Sequence, residues 1–360
     1  MRSGKSCHMQ ALTVHPKQAG SLEVTTIADP EPGPDELLVD GLAMGVCGTD
    51  MEIVGGSYGW PPRGRDRLVL GHESLGRVAK APADSDFAEG DLVVGIVRRP
   101  DPVPCGACAV GEFDMCRNGR YTERGIKERD GYGSQRWTVE TDYAVALDAH
   151  LSDIGMLLEP TTVVAKAWEQ VRKVGERSYF HPRRALITGA GPIGLLAGLL
   201  SVQQGLDTHI LDQVTDGPKP GIVKALGATY HHDDIDDVAH RIEPDVVIEA
   251  TGAGPLVFGC IASTATYGIV CLTGVSPAGR TLKIDAGAVN RDIVLENDAV
   301  IGSVNANRRH YQQAVDALAK ADTDWLASLI TRRVPLHRAQ EAFETQRDDV
   351  KVVITLDGDR

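Results

Sequence analysis

Ala185-Leu186-Ile187-Thr188-Gly189-Ala190-Gly191-Pro192-Ile193-Gly194, residues 185–194, sets a short apolar run against three glycines spaced G-x-G-x-x-G. The run reads as a buried strand, and the LLAGLLSVQQG that continues from Leu195 is apolar enough for a buried helix. Between a strand and a helix this spacing has a mechanism. Gly189 makes the tight turn, Gly191 leaves room for a pyrophosphate, and Gly194 lets the helix lie close on the sheet. Pro192 and Ile193 complete the entry into the helix, whose first backbone N–H groups face the doubly anionic ligand.

Downstream, His209-Ile210-Leu211 reads as the next strand and ends at Asp212, 18 residues beyond Gly194. A carboxylate there accepts hydrogen bonds from the adenosine ribose hydroxyls and repels the extra phosphate of NADP. Gln213 and Val214 bring no positive charge, so NAD is the expected cofactor with NADP use left open; Lys219 reaches a phosphate if the loop folds back. KPGIVKALGA reads as a helix, and Asp245–Glu249, Ile269–Leu272 and Val300–Val304 as strands. This alternation predicts a parallel, doubly wound Rossmann sheet. Thr251 follows one of its strands and puts backbone near the cofactor; Val275 and Asn305 follow others and are expected on the nicotinamide side.

Upstream the pattern differs. Leu37–Val39, Gly76–Ala79 and Asp91–Gly95 are short strand candidates among turn-forming segments such as EPGP and FAEGD, so the first 150 or so residues read as mainly β. Val163, Val164, Ala167 and Trp168 then open the helical pattern. After Asn305, RRHYQQAVDALAK and PLHRAQEAFE read as helices, and Lys351–Thr355 as a strand that returns to the N-terminal domain. A chain of 360 residues favours two domains over one. The expected division is 9–160, 161–305 and a return at 306–360.

A net charge of −13 argues against a nucleic-acid partner. No apolar run approaches the roughly 18 residues of a membrane span. The opening MRSGKSCHMQ lacks a signal-peptide core and reads as an extension, with Met9 an alternative start, so a cytoplasmic protein is expected. Of seven cysteines, Cys105, Cys108 and Cys116 crowd into twelve positions, whereas Cys7, Cys47, Cys260 and Cys271 are scattered. The odd count favours thiols or metal ligands over disulfides. Three thiolates spaced C-x2-C-x7-C suit a second, structural zinc that staples a loop, with Asp101 as the candidate fourth ligand.

Gly45-Val46-Cys47-Gly48-Thr49-Asp50 and Gly71-His72-Glu73 supply a thiolate, an imidazole and a carboxylate, all zinc ligands, although each alone also reads as an ordinary buried or turn residue. Together with RRP at 98–100, ERGI at 123–126, LLEP at 157–160, GAGPIG at 189–194 and GSVN at 302–305, these motifs resemble the zinc-containing medium-chain alcohol dehydrogenase family, above all its glucose dehydrogenase branch. The resemblance spans nearly the whole chain. It implies an α/β protein with a GroES-like, mainly β catalytic domain and an inserted Rossmann nucleotide-binding domain. It also implies a catalytic zinc on Cys47, His72 and Glu159, with Glu73 binding directly or through water, and Thr49 as the relay for the substrate proton. Sugar hydroxyls fall to Glu123, Glu159 and Asn305, because a polar substrate needs partners for each buried hydroxyl. Arg98 and Arg99 are expected to anchor a loop through carboxylates.

The reaction implied is oxidation of an aldose at C1 to its lactone, glucose first and galactose or xylose next, in a dimer or tetramer. Two other readings remain at this stage: a zinc dehydrogenase for polyols or secondary alcohols, and a dinucleotide-binding regulatory protein without catalysis.

Overall fold

The computed structural model describes residues 8–277, 279 and 281–357; Cys7 and the reading of the opening residues as an extension lie outside them. The chain divides into two units. The first takes the chain up to Glu159, Ala306–Ala319 and the chain from Ile330; the second takes Pro160–Asn305 and Lys320–Leu329.

In the first unit, β1 (His8–Val14) pairs antiparallel with β2 (Glu23–Ala28), and β3 (Glu36–Val46) is the long central strand. Short β4 (Leu68–Val69) pairs with β1, while β5 (Glu73–Lys80) and β6 (Leu92–Gly95) continue the sheet from β3. β3 alternates buried and half-buried residues until Ala43, and from there to Val46 it is buried throughout. Leu37, Val39, Val78, Val93, Tyr132 and Trp137 pack into one core cluster of this unit.

β7 (Arg98–Arg99), β8 (Thr122–Arg124) and β9 (Glu128–Arg129) form a small sheet, followed by β10 (Arg136–Glu140) on β3 and β11 (Ala144–Leu147) on β6. Charge fixes this region. Arg98 Nε and Nη2 donate to Glu123 Oε1 at 3.0 and 2.9 Å, and Arg99 Nε and Nη2 donate to Glu140 Oε2 at 3.1 and 2.7 Å. The RRP segment thus anchors its loop through carboxylates, as its sequence suggests.

Arg129 adds two bonds of 2.9 Å to Glu140 Oε1. Burial opposes the Glu140 charge, but Arg99 and then Arg129 outweigh it and hold the carboxyl at about 2, down from 4.5. A depressed carboxyl stabilises the fold fully above its unfolded value and loses that contribution as pH falls through the folded value. The window runs from about 4.5 down to about 2. Glu140→Gln is therefore expected to cost on the order of 2–3 kcal/mol at neutral pH and to flatten the acid limb of stability. Urea unfolding of both proteins from neutral to acid pH tests this; parallel acid limbs would count against it.

In the second unit, β12 (Arg184–Thr188), β13 (Asp207–Leu211), β14 (Thr229–His231), β15 (Val246–Glu249), β16 (Ile269–Leu272) and β17 (Ala299–Gly302) form one parallel sheet ordered β14-β13-β12-β15-β16-β17. This is the Rossmann strand order, which reverses beside its first strand and opens a crevice there. Helix Pro192–Gln203 is buried continuously from Gly194 to Ser201, as its apolar sequence requires. Leu186, Val247 and Val270 of three strands pack against Val238 and Ile242 of helix Ile235–Ile242.

Finally, β18 (Ile330–Pro335) and β19 (Lys351–Thr355) return to the first unit, where β19 pairs antiparallel with β3. The expected single return at 306–360 is corrected in one place. Lys320–Leu329 groups with the second unit, because Trp325 and Leu326 are buried there and the Trp325 indole donates to the Ile222 carbonyl at 2.9 Å.

PLHRAQEAFE is helical as read, in the 3-10 form over Leu336–Phe343 with a non-helical Arg338. Residues three apart eclipse in a 3-10 helix, and Arg338 pairs with Glu341 at that spacing through two bonds of 2.6 Å. No helix among the described residues is long and apolar enough to cross a membrane.

Candidate active site

Two strands and the start of helix Leu158–Gly175 carry the candidate ligands. Cys47 directly follows β3 and is the N-cap of helix Gly48–Val54; its N–H donates to Asp50 Oδ2 at 3.1 Å. His72 directly precedes β5, whose first residue, Glu73, lies opposite Gly45 of β3. The result is a Cys47 Sγ to His72 Nε2 distance of 3.0 Å. On the other side of the ring, His72 Nδ1 faces Asp50 Oδ1 at 3.3 Å. A carboxylate on one ring nitrogen orients the imidazole and leaves the other for a metal. Burial works against protonation of His72, yet Asp50 and Cys47 raise it well above its ordinary value.

His72, Glu73 and Glu159 form a second group that shares the histidine; within each group the ligand atoms lie within 4.8 Å of one another. Burial, helped by Glu73 and Asp50 and opposed by His72 and Lys351, pushes the Glu159 carboxyl up to about 7. Asp50, Glu73 and Glu159 beside a thiol make a concentration of anionic groups that a divalent cation would relieve. The donor set of sulfur, imidazole nitrogen and carboxylate oxygen fits zinc. Thr49 is half-buried in the first turn of helix Gly48–Val54.

The sequence reading gave no role to Lys351, the first residue of β19. It is fully buried, forms an ion pair with Glu73, and donates to the Val46 carbonyl at 3.0 Å. A side chain on Gly45 would run into the Glu73 carboxylate and come within 2.8 Å of Lys351 Cε, so the glycine makes room for this pair. The available signal was a charged residue heading an apolar strand.

The structure brings Cys105, Cys108 and Cys116 into one ligand group. Backbone N–H groups of Arg117 and Cys108 pull the Cys105 thiol down to about 6. Asp101 does not join them. Its Oδ1 accepts the Val103 N–H and its Oδ2 the Asn118 amide, both at 2.8 Å, and its carboxylate lies outside the group. Each oxygen takes one donor that shapes the loop, and the carboxylate stands outside the three-thiol group in which it was expected as fourth ligand. Glu123 is buried and held by Arg98; Tyr58 is raised first by burial and then by Glu123.

In the second unit, the glycine turn behaves as its spacing requires. Gly189 has φ +91°, Gly191 is the N-cap of helix Pro192–Gln203 with open space where a Cβ would project, and a Cβ on Gly194 would collide with the Gly189 carbonyl. Pro192 and Ile193 remain partly exposed at the helix start. A cavity of about 650 Å³ is lined by Gly189, Asp212, Gln213, Val214 and Thr251, among others.

Glu249, fully buried at the end of β15, accepts the N–H groups of Thr251 at 2.7 Å and Gly252 at 3.0 Å, and the Thr251 hydroxyl at 2.5 Å. This carboxylate, unread in the sequence, builds the turn that presents Thr251. Val275 is exposed after β16, and Asn305 follows β17 with φ +64°; neither lines that cavity.

The glucose dehydrogenase C-terminus family matches residues 152–356, and the alcohol dehydrogenase GroES-like domain family matches residues 33–149. The chain is 40% identical over 357 residues to glucose 1-dehydrogenase of Methanocella arvoryzae, covering 97% of this chain and 99% of that protein. It is also 40% identical over 356 residues to glucose 1-dehydrogenase of Thermoproteus tenax, with the same coverage. Haloferax mediterranei glucose dehydrogenase, solved in complex with NADP, Zn and gluconolactone, is similar at 32% identity with a TM-score of 0.88, over 97% of this chain and 99% of that one. The chain therefore belongs to the zinc-dependent alcohol dehydrogenase family with a GroES-like and a Rossmann domain, in its glucose dehydrogenase branch.

Proposed function

We propose that the protein oxidises an aldose, glucose first, at C1 to its lactone, with NAD favoured and NADP accepted. The observation that carries this reading is a pair of ligand groups that share the buried His72, one with Cys47 and Asp50 and one with Glu73 and Glu159, in a chain so similar to glucose 1-dehydrogenases. Cys47, His72 and Glu159 would hold zinc, Asp50 orients His72, and Glu73 stays on Lys351 beside them. When bound, zinc polarises the C1 oxygen as a Lewis acid and the oxidised nicotinamide takes the hydride.

Thr49 passes the hydroxyl proton outward; its own high pKa makes it a relay, with solvent the final acceptor. Arg98 holds Glu123 in place to accept a sugar hydroxyl, and Asn305 offers both a donor and an acceptor. Gly189, Gly191, Pro192, Ile193 and Gly194 receive the pyrophosphate, and Asp212 the adenosine ribose. Thr251 adds to the wall of the cofactor cavity. Cys105, Cys108 and Cys116 would hold a structural zinc.

The test is cofactor reduction with glucose, galactose, xylose, sorbitol and simple alcohols under both NAD and NADP. Aldose preference supports the reading, and equal rates on sorbitol would sink it. Thr49→Val is expected to keep its zinc and lose about a hundredfold in kcat; an unchanged kcat would remove the relay.

We further infer a homo-oligomer. Among the described residues β17 is the edge strand of its sheet, and Val300 on it is exposed together with Val294 and Leu295 of the preceding helix, which suits pairing with a second copy. Light scattering should give at least a dimer. The six cysteines of the described residues are all free thiols, which supports a cytoplasmic location.

A further inference from the structure

Asp212 is tethered by backbone on both sides. Its Oδ2 accepts the Ala190 N–H from within the glycine turn at 2.7 Å, and its Oδ1 accepts the Val214 N–H at 3.1 Å. The Val214 carbonyl is in turn held by the Tyr230 hydroxyl. A carboxylate fixed in this way cannot swing aside when an anion arrives. Burial opposes its charge, but Ala190, Lys219 and Val214 together keep the carboxyl below its usual range.

Its third partner is of another kind. Lys219 Nζ lies 3.0 Å from Asp212 Oδ2, at the end of a flexible four-carbon stem rooted in the first turn of helix Pro218–Ala225. Both side chains are largely buried, so this is a formed pair and not a passing surface contact. The rest of the charged cavity wall offers a phosphate little. Asp233 and Asp234 add carboxylates, His232 is the basic residue of the lining, and nearby Arg241 is already bound to Asp233 at 2.6 Å, while Lys219 reaches the wall through Asp212 and is not itself part of that lining.

We propose that Lys219 is a two-position selector for the cofactor, a reading that rests on the cavity being the adenosine site. With NAD, Lys219 stays on Asp212 and offsets its charge, and the carboxylate keeps a free acceptor position for a ribose hydroxyl. A carboxylate has about four such positions, and the three donors above leave one. With NADP, Lys219 turns from Asp212 onto the 2′-phosphate, while the two backbone donors continue to hold the carboxylate. One lysine thereby admits both cofactors.

The test is equilibrium binding of NAD and of NADP to the zinc-loaded protein without sugar, by calorimetry, for wild type, Lys219→Ala and Lys219→Arg. Lys219→Ala should weaken NADP by about tenfold or more, the scale of one lost charge-assisted contact, and leave NAD within about twofold. Lys219→Arg should retain most NADP affinity, and the wild-type advantage for NADP over Lys219→Ala should shrink with added salt. Equal weakening of both cofactors, or unchanged NADP binding, would overturn the selector. A wild-type protein that binds neither dinucleotide overturns the adenosine site itself, and the selector with it.

Discussion

Cys47→Ser is expected to leave a folded protein that has lost its catalytic zinc and, with it, the dehydrogenase activity. Serine is nearly isosteric with cysteine and is a preferred N-cap, so helix Gly48–Val54 keeps its start. The Cys47 N–H bond to Asp50 is made by backbone and survives the change. What disappears is the soft thiolate: a serine hydroxyl stays protonated near neutral pH and is a poor zinc ligand beside His72 Nε2, 3.0 Å away. Disturbing residues that only support zinc ligands costs roughly 10- to 100-fold in affinity, and removal of a ligand should exceed that.

The readouts are zinc per chain, kcat, and the unfolding midpoint of the metal-free forms. Zinc and kcat should fall together while the metal-free midpoints agree. Full zinc occupancy at the Cys47 site in the variant would remove Cys47 from the ligand set.

The second large effect is on stability. Lys351→Met removes the cation of a pair in which both side chains are almost completely buried. The Glu73 carboxylate would stay behind without its counter-ion, and the Val46 carbonyl would lose its Lys351 donor. Breaking one side of a buried pair costs about 3–5 kcal/mol, mostly the penalty of the charge left alone. Methionine fills a similar volume, which separates loss of charge from loss of packing. Adding Glu73→Gln should recover much of the deficit, because no buried charge then remains. Urea unfolding of the metal-free single and double variants measures both effects. A single variant within about 1 kcal/mol of wild type would show that the pair contributes little.

Much of the second unit was legible because its signals are local. Residues 185–194 contain the strand, the turn and the helix start in one run, and Asp212 lies a fixed interval beyond them. The strand at Lys351–Thr355 was equally readable, and its apolar run suited a return to the first sheet. The partner of Lys351 was not readable. Glu73 and Lys351 meet because β5 and β19 flank β3 on opposite sides, a consequence of topology over 278 positions of chain. The same holds for Glu140, whose role as the acceptor for Arg99 and Arg129 depends on how three short strands stack.

Asp50 stood inside the quoted GVCGTD motif, yet a motif gives no direction to a side chain, and its approach to the far side of His72 emerged only from geometry. Asp101 failed for the complementary reason. Its position beside the cysteines suggested a ligand, but hydrogen bonds from Val103 and Asn118 hold its carboxylate outside their group. The helix at Leu336–Phe343 was legible from its composition, but its 3-10 form, which suits the Arg338–Glu341 pair, was not.

The central claim is that the hydrogen on C1 of the sugar passes directly to the nicotinamide ring only when zinc is held by the Cys47, His72 and Glu159 cluster. C1-deuterated glucose tests it, with the reduced cofactor analysed by mass spectrometry for wild type and Cys47→Ser. The account predicts deuterium in the wild-type reduced cofactor and no reduction by the variant. Deuterium released to water, or labelled cofactor formed at full rate by the zinc-free variant, would contradict it.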